Sequence, residues 1–177
     1  MQGIGAILAG GRSERFGSDK AEARLDGRRL IDWVADALAP QVTQIVFCGR
    51  DEPGRHCLAD RPESGIGPLG GLAAALHYAA KNDAEFVLSA GCDTPDIPAD
   101  LRDHLSGAGP AILDDQPVIG FWPVNLAEQL DAFIGDGGRS LYGFADHVGA
   151  RRITLGRDLA NINYADDLKK ISARPKG

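Results

Sequence analysis

Gly3-Ile4-Gly5-Ala6-Ile7-Leu8-Ala9 is an apolar run that opens directly into Gly10-Gly11-Arg12-Ser13-Glu14-Arg15-Phe16-Gly17-Ser18-Asp19-Lys20. The run is too short to span a membrane and suits a strand buried on both faces of a parallel sheet. The loop that follows is therefore anchored at the core. Its tandem glycines let backbone N–H groups close on an anion, while Arg15 and Lys20 can supply charge. That combination points to a polyphosphate, and so to a nucleoside triphosphate.

Beyond this loop, Leu30, Ile31, Val34 and Leu38 recur at helical spacing, which predicts an amphipathic helix over 29–39 ended by Pro40. A strand follows over 42–48. The segment 49–67 is rich in proline and glycine and reads as loop, with one short strand near Cys57 and Leu58. An alanine-rich helix over 69–80 has Pro68 in its first turn, where a missing N–H costs little. A strand is expected at 85–90, a helix at 98–105, and strands at 110–113 and 118–123 around an Asp-Asp-Gln-Pro turn. A helix at 126–134, a Gly-Asp-Gly-Gly break at 135–138, a short helical piece, a strand at 151–155 and a helix at 166–172 complete the reading. Alternating strands and helices imply an α/β, Rossmann-like three-layer fold with a mostly parallel central sheet and helices on both faces. The 177 residues suit a single domain, 1–177, with 173–177 a frayed tail. A chain of this length can bury roughly 70% of the surface its unfolded form exposes, so it needs no covalent staples.

Charge and cysteine usage remove several classes. A net charge of −6 argues against general nucleic-acid binding, which needs a basic footprint. Cys48, Cys57 and Cys92 form no C-x-x-C pair, against a disulfide framework or a structural zinc site. No basic segment precedes the first apolar run, and nothing approaches about 18 consecutive apolar residues. The expected location is the cytoplasm. Between Arg12 and Arg29, six cations meet four acids, which reads either as a positive rim or as an ordinary solvated loop of mixed charge.

In a sheet of this kind, ligands bind beyond the carboxyl ends of the strands. The first loop falls there, and so does Gly91-Cys92-Asp93-Thr94-Pro95. Residues 11–20 lack G-x-x-x-x-G-K-[ST], which excludes a P-loop. The G-x-G-x-x-G match at 65–70 has no convincing strand leading into it, and Pro68 fixes its turn. It suits a helix N-terminus facing an anion or substrate, or simply a cap, better than a dinucleotide site. Asp93 is the candidate Mg²⁺ ligand, since that ion takes one or two carboxylates and completes its shell with water and substrate phosphates. The competing reading is a turn aspartate capping the next helix, a role Asp96 fits better. Cys92 has no histidine nearby in sequence and reads as a small apolar strand residue. His56, His77, His104 and His147 show no ligand spacing, and Trp33 and Trp122 read as core or groove wall.

Four segments taken together carry a resemblance. They are Leu8-Ala9-Gly10-Gly11-Arg12-Ser13-x-Arg15-Phe16-Gly17-x-Asp19-Lys20, Gly67-Pro68-Leu69-Gly70-Gly71-Leu72, Cys92-Asp93-Thr94-Pro95-x-x-Pro98, and Asn161-Ile162-Asn163. Their order and their spread over nearly the whole chain resemble the molybdenum cofactor guanylyltransferases. The resemblance implies transfer of GMP from GTP to molybdopterin, with pyrophosphate released and Mg²⁺ required. It places Leu8, Ala9, Gly10, Gly11 and Gly67 at the nucleotide, Lys20 and Arg15 on the phosphates, Asp60 at the guanosine and Asp93 on the metal. Asp60 is aligned by counting back from Gly67, and Asn163 joins the metal by looser analogy with the wider nucleotidyltransferase group. Lys20, Arg15 and Asp93 form the implied catalytic set. The implied partners are the two substrates, with transient contact to proteins that supply molybdopterin or mature molybdoenzymes, and neither nucleic acid nor membrane.

The chain also departs from the family pattern. Phe47 stands where an asparagine is often found, Gln116 precedes Pro117 in place of histidine, and the segment 50–60 is short. The alternatives are a cytidylyl enzyme for the same cofactor or another small nucleotidyltransferase. Ala9-Gly10-Gly11 and the motif at 67–71 favour guanylyl, because cytidylyl relatives usually carry Ala-Ala-Gly. A protein of another class, a non-catalytic nucleotide-binding or cofactor-delivery protein, would keep the fold without turnover. Gly138-Arg139-Ser140-Leu141 is a candidate for the acceptor side or simply a helix start.

Overall fold

A computed structural model describes residues 1–10, 19–162 and 165–172. The opening apolar run forms β1 (Gly3–Leu8), buried along its whole length. It is an interior strand of a seven-stranded sheet with β4 (Gln44–Cys48), β5 (Cys57–Leu58), β6 (Phe86–Gly91), β7 (Ala111–Leu113), β8 (Gly120–Pro123) and β9 (Arg151–Ile153). The order across the sheet is β5-β4-β1-β6-β8-β7-β9. β1 pairs in parallel with β4 and β6, and β4 with β5. β8 runs antiparallel to both β6 and β7, while β7 and β9 are parallel. The sheet is thus mostly parallel, with one reversed strand among the described residues.

The period-2 alternation of the strands builds a core on each face. Ile4, Ala6 and Leu8 of β1, Val46 and Cys48 of β4, and Val87 of β6 face α2 (Pro68–Lys81), α4 (Ala127–Gly135) and α5 (Leu141–His147). Ile7, Phe47, Phe86, Leu88 and Ala90 face α1 (Leu30–Leu38) and α3 (Leu101–Leu105) on the other side. Among the strand residues, Gly3 is needed because a Cβ there would run into the Phe86 ring. α2 lies close to the sheet because its first turn is small: a Cβ at Gly71 would come within 3.1 Å of Leu8 and 3.0 Å of Cys48.

Several boundaries move for physical reasons. α1 runs on past Leu38 into a 3₁₀ turn, Ala39–Gln41, because Pro40 sits at its start, where no N–H is needed. The helix expected over 98–105 shortens to Leu101–Leu105, with Pro98 to Asp100 forming a turn. Asp96 does not cap that helix: its carboxylate accepts from the Ala160 N–H at 2.9 and 3.2 Å and so ties the third strand-end loop to the C-terminal segment. A small hairpin, β2 (Arg24–Leu25) and β3 (Arg28–Arg29), turns on Asp26-Gly27, with φ values of 51° and 78°. That is the Asp-Gly signature of a two-residue turn with both central residues at positive φ. α6 (Ala165–Ser172) closes the described chain. Among the described residues, no helix is long and apolar enough to cross a membrane.

Candidate active site

The carboxyl ends of β1, β4 and β6 bring three loops together. Ala9 N–H donates to the Cys48 carbonyl at 3.0 Å, and Gly49 N–H to the Leu58 carbonyl at 3.1 Å, so the ladder continues past the strand ends. The backbones of Gly10 and Gly49 then almost touch. A Cβ on Gly49 would lie 2.6 Å from the Gly10 Cα and 3.1 Å from Asp60 Oδ1, and its φ of 80° already disfavours any other residue. Gly70 adds a third small wall, since a Cβ there would fall 3.0 Å from the Asp60 Cβ. The result is a notch of bare backbone around one half-buried carboxylate. Burial raises the Asp60 carboxyl above its ordinary value. A cavity of about 260 Å³ adjoins it, lined by Gly49, Arg50, Cys57, Leu58, Asp60 and Ser64 among others.

The first motif's Leu8, Ala9 and Gly10 and the separately aligned Asp60 are therefore brought together. Leu8 is only 8% exposed and packs its side chain toward α2, so it can offer a ligand backbone groups alone. Phe47 is not a departure at the nucleotide side: it is 2% exposed and belongs to the core beneath α1. The position that reaches Asp60 from β4 is Gly49. Gly67 stands at the head of α2 with φ 78°, and its carbonyl accepts from Gly70 N–H at 3.1 Å.

Lys20 and Asp93 meet beyond β1 and β6, with Nζ 3.5 Å from Oδ2 and both side chains about four-fifths buried. Gly91 permits this, because a Cβ there would stand 2.8 Å from Asp93 Oδ1. The loop around Asp93 is locked from behind. Thr94, fully buried, donates its hydroxyl to Gln116 Oε1 at 2.9 Å, and Gln116 Nε2 donates to the Leu159 carbonyl at 3.4 Å. Ile162 N–H donates to the Asp93 carbonyl at 2.9 Å. Gln116 is thus a buried brace between two segments of the site. Cys92 is no nucleophile: burial first, and the neighbouring Asp93 charge second, push its thiol up to about 12. His77 of α2 pairs with Asp131 of α4 at 2.7 Å.

Asp93 also borders a second cavity of about 380 Å³, with Pro68, Gln116, Arg139, Ser140, Tyr142 and Asn161 in its walls. The 138–141 segment starts a helix and also borders this cavity. Ser140 Oγ accepts from Gly143 N–H at 3.0 Å as the cap of α5, while Arg139 and Ser140 line the cavity. Gly11, Arg15 and Asn163 lie outside the described residues. Sequence alone assigns Gly49 no place at the site; its one signal is the recurrence of glycine just beyond or at the carboxyl ends of the central strands, at Gly10, Gly49 and Gly91.

Among the described residues, no cluster of three or more His, Cys, Asp or Glu side chains could hold a metal by itself. A single carboxylate at Asp93, with a triphosphate to supply further oxygens, still fits Mg²⁺, an ion that keeps several waters and binds few protein ligands.

Residues 5–149 match the family described as the MobA-like NTP transferase domain. The chain is 37% identical to the molybdenum cofactor guanylyltransferase of Cereibacter sphaeroides over 187 aligned positions, covering 98% of this chain and 97% of that protein. It is equally 37% identical to the Rhodobacter capsulatus protein of the same name, with the same coverage of 98% and 97%. Among solved structures, molybdopterin-guanine dinucleotide biosynthesis protein A from Archaeoglobus fulgidus superposes with a TM-score of 0.77 at 26% identity, over 96% of each chain. A cytidylyltransferase from Thermus thermophilus shares the fold alone, with a TM-score of 0.70 at 14% identity over 98% of this chain and 97% of the other. In class the molecule is a nucleotidyltransferase. It belongs to the MobA-like NTP transferase family.

Proposed function

We propose that this chain transfers GMP from GTP to molybdopterin, releasing pyrophosphate and forming the guanine dinucleotide form of the cofactor. The single observation that best supports this reading is the Lys20–Asp93 pair, set between a glycine-walled notch on one side and an open cavity on the other. The full-length likeness to proteins named molybdenum cofactor guanylyltransferase supports the choice of base and acceptor.

The reaction is an in-line displacement. A phosphate oxygen of the acceptor attacks the α-phosphorus of GTP, and the bond to the β-phosphate oxygen breaks, with its electron pair leaving on pyrophosphate. A phosphate monoester has its second pKa near ~6, so the acceptor is largely a dianion at neutral pH and needs no strong general base. That agrees with the chemistry of the site, where burial favours the protonated Cys92 thiol and His77 is paired with Asp131. The protein's task is to align the groups and to stabilise charge. Lys20 binds the triphosphate, the backbone of Leu8, Ala9 and Gly10 holds the nucleotide, and Asp60 accepts hydrogen bonds from the guanosine. Gly67 lies at the rim where α2 begins. Arg15 and Gly11 join the phosphate side by their place in the motif.

Mg²⁺ bound at Asp93, with Asn163 as a further ligand, supplies Lewis-acid charge stabilisation to the phosphates. The larger cavity receives the acceptor, with Arg139 and Ser140 on its wall. Residues 1–177 act as one domain in the cytoplasm, with transient contacts to cofactor-handling proteins and none to nucleic acid or membrane.

The test is product formation from molybdopterin and Mg²⁺ with GTP or CTP supplied in turn. The expected result is incorporation of GMP in large preference to CMP, because a site that leaves buried polar groups unpaired rejects the wrong ligand by about 10⁴-fold. Equal incorporation would overturn the guanylyl assignment.

A further inference from the structure

Glu52 is the buried centre of an ion network for which the sequence shows no motif. Its side chain is 2% exposed, and a carboxylate so buried must be paired. Arg29 Nη1 approaches it at 3.0 Å, and Arg50 Nε faces its other oxygen at 2.7 Å as an ion pair rather than an aligned hydrogen bond. The same two arginines share Glu22, at 2.9 Å from Arg29 and 3.1 Å from Arg50. Glu22, Arg29, Glu52 and Arg50 thus close a ring of alternating charge. Asp32 adds a third carboxylate to Arg29 through two contacts of 3.0 and 3.1 Å.

The ring joins three segments: the stretch before β2, the start of α1 and the exit of β4. From it, Arg50 Nη1 reaches both oxygens of Asp19, at 3.0 and 2.8 Å. Asp19 closes a local turn, with Oδ1 accepting from Ala21 N–H at 3.0 Å and its carbonyl from Glu22 N–H at 3.1 Å. The next residue is Lys20, whose ammonium lies against Asp93. Charge alone gives no reason for two anions, Asp19 and Glu22, to stand beside a triphosphate site. Their geometry does, because they are the handles by which the arginines grip the lysine's loop.

We propose that Arg50, fixed by buried Glu52, is a positioning residue that holds Asp19 and thereby sets Lys20 for the triphosphate contact proposed above. Ordering the lysine's backbone before GTP arrives removes part of the entropic cost of binding. The mixed charges of Asp19, Glu22 and Arg29 are then neither a plain positive rim nor an idle solvated loop.

Calorimetric titration of GTP into the wild type, Asp19→Asn, Lys20→Ala and the double variant tests this. Asp19→Asn keeps an oxygen for Ala21 N–H and leaves Glu52 paired with both arginines, so the fold is retained. The expected result is about tenfold weaker GTP binding when Lys20 is present and less than about twofold when it is absent, the signature of two residues acting through one contact. Tighter binding by Asp19→Asn, which loss of a nearby anion alone predicts, would overturn the proposal. So would the same loss in both backgrounds. A wild type that takes up no GTP would overturn the function proposed above, and positioning with it. A wild type that binds GTP with or without Lys20 equally well would overturn the lysine contact alone and, with it, the role of Arg50.

Discussion

The two cavities of this site are built by different means. At the notch the walls are backbone: Gly10, Gly49 and Gly70 converge on Asp60, and a Cβ on Gly49 would fall 2.6 Å from the Gly10 Cα. On the other side, the larger cavity is lined by side chains drawn from four separate segments, represented by Pro68, Gln116, Arg139 and Asn161. The division follows the sheet. The parallel strands β4, β1 and β6 end together and create the notch, whereas β7, running in the same sense, carries the chain to that edge and Asp115 and Gln116 lie in the turn before the reversed strand β8. A backbone-walled site tolerates little change and reads one ligand shape. A side-chain-walled site can be rebuilt residue by residue.

That contrast can be broken by one substitution on each side. Gly49→Ala places a methyl group against Gly10 and forces a positive φ on a residue with a Cβ, at a cost of about 1–3 kcal/mol. It is expected to weaken GTP binding as well, by pushing Gly10 and Asp60 apart. Gln116→Ala leaves the buried Thr94 hydroxyl without its acceptor, for a similar ~1–3 kcal/mol, but its functional effect should fall on the acceptor. Urea unfolding together with GTP affinity and the acceptor KM separates the two. Loss of GTP affinity equal to that of Gly49→Ala in the Gln116 variant would erase the distinction between the sides.

A smaller effect sharpens the account of Asp60. Burial raises its carboxyl pKa above the ordinary 3.8, so the folded protein holds that proton more tightly than the unfolded chain. The charged form therefore costs stability: the penalty is absent below pH 3.8 and fully present above the raised folded pKa. Asp60→Asn should raise Tm slightly at neutral pH, with the gain fading as the pH falls through that window. The same change should weaken GTP by about tenfold, since an amide offers one acceptor oxygen where the carboxylate offers two. A Tm gain that persists unchanged at pH 3 would show that desolvation of the carboxylate is not its source.

Much of the geometry of the notch and of the Asp93 loop is legible in the sequence because its requirements are local. An apolar strand followed by Gly10 and Gly11, a Gly-Pro-Leu-Gly-Gly helix start, and Asp93 at a strand end are each contiguous patterns with a mechanical reason. The strand order near β8, the brace of Gln116 and the Glu22–Arg29–Glu52–Arg50 ring are long-range facts, and each residue in them has an ordinary solvated reading on its own. Phe47 shows the same limit from the other direction. Counting along β4 places it at the nucleotide, yet it lies within the strand and its side chain enters the α1 core, whereas Gly49, just past the strand's last residue, lies against Gly10 and Asp60. Asp96 was likewise read as a helix cap, because its partner, Ala160, lies 64 residues away.

Asp93 is the residue where the two sides meet, bordering the larger cavity while its carboxylate faces Lys20. The most direct test of the account is pyrophosphate release by Asp93→Ala supplied with GTP, Mg²⁺ and molybdopterin, beside its thermal unfolding. Abolished release with a Tm within a few degrees of wild type is the predicted result. Release at the wild-type rate would contradict the placement of the reaction between notch and cavity.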